Sequence, residues 1–131
     1  MDRDVIKRAL EQHFANDSRV AAVYLYGSFA RGTERSDSDI DVGVLYVTPP
    51  PSTLLGQPFA DEGVLESVLG RPTQLVVMNG ASPDLVHRIL LDGILVVDSD
   101  RRRRIAFEVK SRNKYFDLLP VLQLYRRREV A

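Results

Sequence analysis

Apolar side chains between Asp4 and Phe14 recur at Val5, Ile6, Ala9, Leu10 and Phe14, the spacing of one helix face. Val20 to Tyr26 is rich in β-branched and aromatic side chains, so it reads as a buried strand. Gly27-Ser28 ends that strand. Ser28 is placed to cap a short helix over Phe29-Ala30-Arg31, with Gly32 closing it. The polar run Thr33 to Ser38 is a loop, and Ile40 to Tyr46 a second strand. With a period of two, Ile40, Val42 and Val44 point one way and Asp39, Asp41 and Gly43 the other.

Pro49-Pro50-Pro51 breaks the chain and opens a surface loop. Asp61 to Leu69 follows as a helix with Val64, Leu65, Val68 and Leu69 on one face, stopped by Gly70. Thr73 to Met78 is a third strand. Ser82-Pro83 starts a helix that runs to Asp92 and stops at Gly93. Ile94 to Val97 is a short fourth strand, and Ser99 or Asp100 caps a final basic helix, about residues 100–130, interrupted before Pro120. The order α-β-α-β-α-β-α-β-α predicts one α/β (α+β) domain over residues 1–131, with about four strands flanked by helices.

A length of 131 residues suits one domain with a modest core. The apolar fraction, 44%, is that of a globular protein, and no apolar run approaches the roughly 20 residues of a membrane span. The charged start, Met1-Asp2-Arg3-Asp4, does not resemble a signal peptide, so the expected location is cytoplasmic. Absence of cysteine excludes disulfides and thiolate metal sites. Net charge is zero but lopsided: residues 1–100 hold 8 basic and 15 acidic side chains, residues 101–131 hold 10 and 3. The basic end is either a segment with its own partner or a solvated helix face answering an acidic body.

The chemistry lies between Gly27 and Asp41. A glycine lets backbone amides approach an anion closely, and a serine at a helix start adds a hydroxyl donor beside exposed N–H groups. Gly27 and Ser28 are therefore candidate phosphate-binding residues. Asp39 and Asp41, separated by one strand residue, carry two carboxylates on one face. That pair suits Mg²⁺, which combines a few carboxylates with water and phosphate oxygens. An isolated DxD or Gly-Ser is weak evidence; strand, Gly-Ser, short helix, loop and DxD in this order are specific.

Gly27-Ser28-Phe29-Ala30-Arg31-Gly32 through Ser36-Asp37-Ser38-Asp39-Ile40-Asp41-Val42 resembles the signature of the minimal nucleotidyltransferases of the DNA polymerase β superfamily. Ile89 to Val96 and Tyr115 to Pro120 resemble the family's later helix–Gly–strand segment and C-terminal helix, so the likeness spans nearly the whole chain. The resemblance implies a mixed sheet, catalytic and metal-holding roles for Asp39 and Asp41, and ATP as substrate with Mg²⁺. It also implies an antitoxin encoded beside a HEPN-domain RNase toxin, silencing that toxin by transferring AMP to one of its tyrosines. The superfamily's third carboxylate falls at Gln74, in Thr73-Gln74-Leu75-Val76-Val77-Met78-Asn79. A neutral amide can offer a ligand oxygen but is a far poorer base. Two outcomes stay open: transfer to the toxin, or neutralisation of the toxin by binding alone.

Arg31 lies one turn beyond Ser28 and is a candidate for the triphosphate, or else a partner of Asp37 or Glu34. Ser38 and Arg35 share the loop, and Ser38 is carried as a nucleotide-binding candidate. Asp61 and Glu62 are spare acids at a loop–helix junction. His13 and His87 have no partner at metal-ligand spacing and read as structural or solvated. Tyr115, Phe116, Leu119, Leu122 and Tyr125 form a stripe at spacings of three and four, either core or a docking face. The arginine runs 101–104 and 126–128 would suit RNA or an acidic protein surface, and only they speak for RNA.

Overall fold

The computed structural model describes residues 1–51 and 56–130, so part of the loop after Pro51 lies outside the described residues. Its elements are α1 (Arg3–Phe14), β1 (Val20–Tyr26), α2 (Ser28–Arg31), β2 (Ile40–Tyr46), α3 (Gln57–Leu69), β3 (Thr73–Val77), a 3₁₀ turn (Met78–Gly80), α4 (Pro83–Asp92), β4 (Ile94–Asp98) and α5 (Arg101–Val130).

The sheet order is β3-β2-β1-β4. β1 pairs antiparallel with β2 and β4, while β2 pairs parallel with β3, so the sheet is mixed. Every residue of β1 is buried, because helices cover both faces of this central strand. On one face Ile6, Leu10 and Phe14 of α1 and Leu65 and Leu69 of α3 pack against Val23, Leu25, Ile40, Val42 and Val44. On the other, Val86 and Ile89 of α4 and Phe107 of α5 pack with Tyr24, Tyr26, Leu45 and Met78. Asp41 and Gly43 alternate with the first set, so they face the α4 side. At Gly43 a Cβ would lie 3.1 Å from Met78 Sδ and 3.4 Å from Ile89, so this gap in β2 lets α4 close on the sheet.

Several boundaries differ from expectation. Gly27, not Ser28, is the N-cap of α2; its backbone (φ 76°, ψ −155°) makes the turn, and Ser28 is already helical. α3 starts at Gln57 rather than Asp61, with Pro58 in its first turn. Its buried line is Asp61, Leu65 and Leu69, four residues apart, whereas Val64 and Val68 are exposed. Asp61 and Glu62 therefore lie inside a helix, not at a loop junction. The third strand stops at Val77, and Met78 enters the 3₁₀ turn. α5 continues through Pro120 without a break. Proline there removes one hydrogen bond to the carbonyl of Phe116, but both residues are exposed, so water can satisfy that carbonyl.

Asp100 caps α5 by accepting from Arg103 N at 3.2 Å, and Ser82 caps α4 by accepting from Leu85 N at 3.3 Å. α5 is fastened to the sheet through Arg104, which donates to Asp98 at 2.8 Å and Glu108 at 3.1 Å, and through the Tyr24 hydroxyl, which donates to Glu108. From Arg112 to Arg127 the helix is largely exposed. No helix among the described residues is long and apolar enough to cross a membrane.

Candidate nucleotide and metal site

The β1–β2 register builds the site. Tyr26, the last residue of β1, stands opposite Asp41. The chain then turns at Gly27, so the turn folds back over the Asp41 carboxylate. A Cβ at Gly27 would lie 2.2 Å from Asp41 Oδ2, and its φ of 76° already disfavours any other residue. Gly27 is thus required twice, by its backbone angle and by the acid beside it. Ser28 follows as the first residue of α2, partly exposed, with the unpaired N–H groups of a first helical turn beside it.

Parallel pairing of β2 with β3 sets Gln74 opposite Asp41. Gln74 Nε2 donates to Asp39 Oδ2 at 3.3 Å. Gly27, Ser28, Asp39, Asp41 and Gln74 therefore converge at one end of the sheet. Glu62 is not a substitute acid, because its carboxylate accepts from Leu75 N at 2.9 Å. Asp61 is committed to the core: it accepts from the Tyr46 hydroxyl at 2.8 Å and sits 2.9 Å from His13 Nε2. His13 is structural, as expected, and His87 stacks on Tyr115 with ring centroids 3.6 Å apart.

Arg31 pairs with neither Asp37 nor Glu34. Its guanidinium lies 3.9 Å from Asp92 Oδ2 at the end of α4, a loose and half-exposed pair that an anionic ligand can compete for. Ser38 Oγ accepts from Arg35 N at 2.8 Å, so this hydroxyl closes its own loop rather than joining the acids.

Burial raises the Asp41 carboxyl above the ordinary range, the charge of Asp39 raises it further, and Arg31 partly offsets both. Tyr26 is raised by burial first and by Asp41 second, with Arg88 opposing. Two acids held together without a cation repel each other, and a divalent ion would relieve both effects. Among the described residues no group of three or more His, Cys, Asp or Glu could hold a metal. The donors present, two carboxylates and an amide oxygen, fit a hard cation that takes its remaining oxygens from water or phosphate.

A Gly-Ser turn after β1, a carboxylate pair at the start of β2 and a mixed sheet are arranged as in a nucleotidyltransferase domain. The chain belongs to the polymerase beta nucleotidyltransferase family, whose sequence profile matches residues 8–102. Most of α5 lies beyond that match. No curated protein matches the chain significantly. Among solved structures, one described as a toxin–antitoxin with AMP-PNP shares 23% identity over 100% of both chains, with a TM-score of 0.78. A second, a tri-AMPylated Shewanella oneidensis HEPN toxin in complex with its MNT antitoxin, shares 20% identity over 98% of this chain and 99% of the other, TM-score 0.77. A third, provisionally described as a minimal nucleotidyltransferase, shares 31% identity over 72% of this chain and 95% of the other, TM-score 0.58.

Arg71, whose guanidinium donates to carbonyls of the loop leading to Asp39, has no pattern in the sequence to mark it. Tyr26 faces Asp41 because the register shifts by one between Val20 and Ala22; the strand ends alone would set it opposite Ile40.

Proposed function

We propose that this protein is the antitoxin of a minimal nucleotidyltransferase–HEPN pair, and that it transfers AMP from ATP to a tyrosine of its HEPN toxin. The observation that carries the reading is Asp41 packed against side-chainless Gly27, with Asp39 on the same end of the strand. Similarity to complexes of a HEPN toxin with an MNT antitoxin, one of them AMPylated, supports the choice of partner and reaction.

On this reading the Gly27–Ser28 turn and the first-turn amides of α2 bind the triphosphate, and Arg31 leaves Asp92 for a phosphate oxygen. Asp39 and Asp41, with the Gln74 amide oxygen, would hold Mg²⁺, which when bound neutralises charge on the phosphates. The tyrosine oxygen attacks the α-phosphorus, the bond to the leaving pyrophosphate breaks, and the phenolic proton passes to a carboxylate. With Gln74 in the third position, Asp39 or Asp41 would have to accept that proton. The exposed half of α5, with Phe116, Val121, Leu124 and Tyr125, is the segment proposed to meet the toxin.

The same glutamine favours a second reading, in which nucleotide is bound but the toxin is neutralised by contact alone. A transfer assay with labelled ATP, Mg²⁺ and the neighbour-encoded HEPN protein decides between them. Label on the toxin, absent with Asp39→Asn/Asp41→Asn, establishes transfer. Toxin bound and inhibited without label establishes occlusion. Absence of both binding and label overturns the antitoxin reading.

A further inference from the structure

Both halves of the motif meet a single side chain that lies outside it. Arg71 follows Gly70 at the end of α3 and precedes β3. Its Nη1 donates to the carbonyl of Ser38 at 2.9 Å and to that of Ser36 at 3.1 Å. The same guanidinium lies 5.3 Å from the centre of the Phe29 ring. Phe29 is the residue after Ser28, buried to 2% exposure beneath α2. Ser38 is the residue before Asp39. From these contacts we infer that Arg71 is a positioning residue, clamping the phosphate-binding turn and the metal-binding strand into one rigid unit.

Among the described residues the loop between Gly32 and Asp39 has few other ties to the body. Its hydrogen bonds Ser38 N to Arg35 O, 3.1 Å, and Arg35 N to Ser38 Oγ, 2.8 Å, close the loop on itself. Ile40 N donates to the carbonyl of Pro72 at 3.0 Å, which is again the segment of Arg71. The base of the clamp is itself fixed. Thr73 Oγ1 donates to Arg71 O at 3.2 Å, and Thr73 N donates to Glu66 Oε1 of α3 at 3.1 Å. An arginine serves here because one planar group offers edge donors to two carbonyls and a cationic face to a ring. A lysine ammonium can bond the carbonyls but cannot also lie flat beside Phe29. Loosening the clamp transfers the cost of ordering the loop to ligand binding, so affinity falls while the core is untouched.

Hydrogen exchange tests the clamp directly. In Arg71→Ala the amides of Arg35, Ser38 and Ile40 should exchange at least about ten-fold faster, with β1 amides unchanged. Affinity for Mg²⁺ with a non-hydrolysable ATP analogue should fall roughly ten-fold, and Arg71→Lys should recover most of the exchange protection but less of the affinity. Arg71→Gln is read in the same way should Arg71→Ala not fold. Unchanged exchange in the loop overturns the inference, as does faster exchange with unchanged nucleotide affinity. The affinity arm rests on the nucleotidyltransferase reading. If the wild-type protein binds no nucleotide, that reading fails by itself, and the exchange arm still decides whether Arg71 fastens the loop.

Discussion

Gln74 donates its side-chain amide to Asp39 across the parallel β2–β3 pair, Nε2 standing 3.3 Å from Oδ2. A neutral donor thus occupies the position from which a third acid would repel the first two. Replacing it with an acid should reverse that accommodation. Gln74→Asp is expected to lower the stability of the ligand-free protein by roughly 1 kcal/mol and to tighten Mg²⁺ binding. Thermal melts with and without Mg²⁺, beside the transfer assay, check both effects. An unchanged ligand-free melt would show that Gln74 does not relieve the pair.

Asp41 is expected to cost stability at neutral pH. Its folded pKa is raised above the ordinary 3.8, so its ionised form is disfavoured in the fold. The favourable, protonated contribution is complete below the unfolded value and is lost as pH rises through the folded one. Asp41→Asn should therefore raise the melting temperature at pH 7 without metal, and the advantage should vanish as pH falls below about 4. The same variant should abolish transfer. A lower melting temperature at pH 7 would contradict the sign.

Gly27→Ala meets two obstacles at once, a positive φ and the Asp41 carboxylate. Unfavourable backbone geometry alone costs about 1–2 kcal/mol, and the acid must also move. Nucleotide affinity should drop by more than the loss of fold accounts for, which parallel melting and binding titrations would separate.

Asp61 has a purely architectural part. Removing it leaves the Tyr46 hydroxyl and His13 without their shared acceptor inside the α1–α3 layer. Asp61→Ala should cost about 2–3 kcal/mol in urea unfolding, and Tyr46→Phe about 1 kcal/mol. Nucleotide affinity measured on the folded fraction should not change.

Phe116→Ser with Tyr125→Ser touches exposed positions of α5, so stability should stay within about 0.5 kcal/mol. Co-purification with the HEPN protein should weaken sharply, while nucleotide binding persists.

The parts of the molecule governed by local pattern were legible from residues alone. β1 reads as a buried strand because both its faces are covered, and Asp41 alternates with Ile40 and Val42 because β2 keeps its period from Ile40 to Tyr46; Asp39 stands just before the strand. The parts set by distant partners were not. Asp61 reads as a spare acid because its partners, Tyr46 and His13, lie 15 and 48 residues away. Arg71 is silent because its acceptors are backbone carbonyls, which carry no residue signature. The early start of α3 hides in Gln57-Pro58-Phe59-Ala60, where proline in the first turn was the available signal. Pro120 misleads because the cost of a helix proline depends on whether water reaches the freed carbonyl.

The unbroken course of α5 has one more effect. Thirty helical residues at 1.5 Å each extend about 45 Å. The first 100 residues carry a net −7 and the rest a net +7, so charge in the neutral protein is divided between an acidic body and a basic helix. Its field turns an approaching charged molecule before any contact forms, within a Debye length of about 10 Å at 0.1 M salt. Orientation on approach, and with it the rate of productive encounter, therefore depends on charge carried by a helix that lies mostly beyond the matched nucleotidyltransferase region.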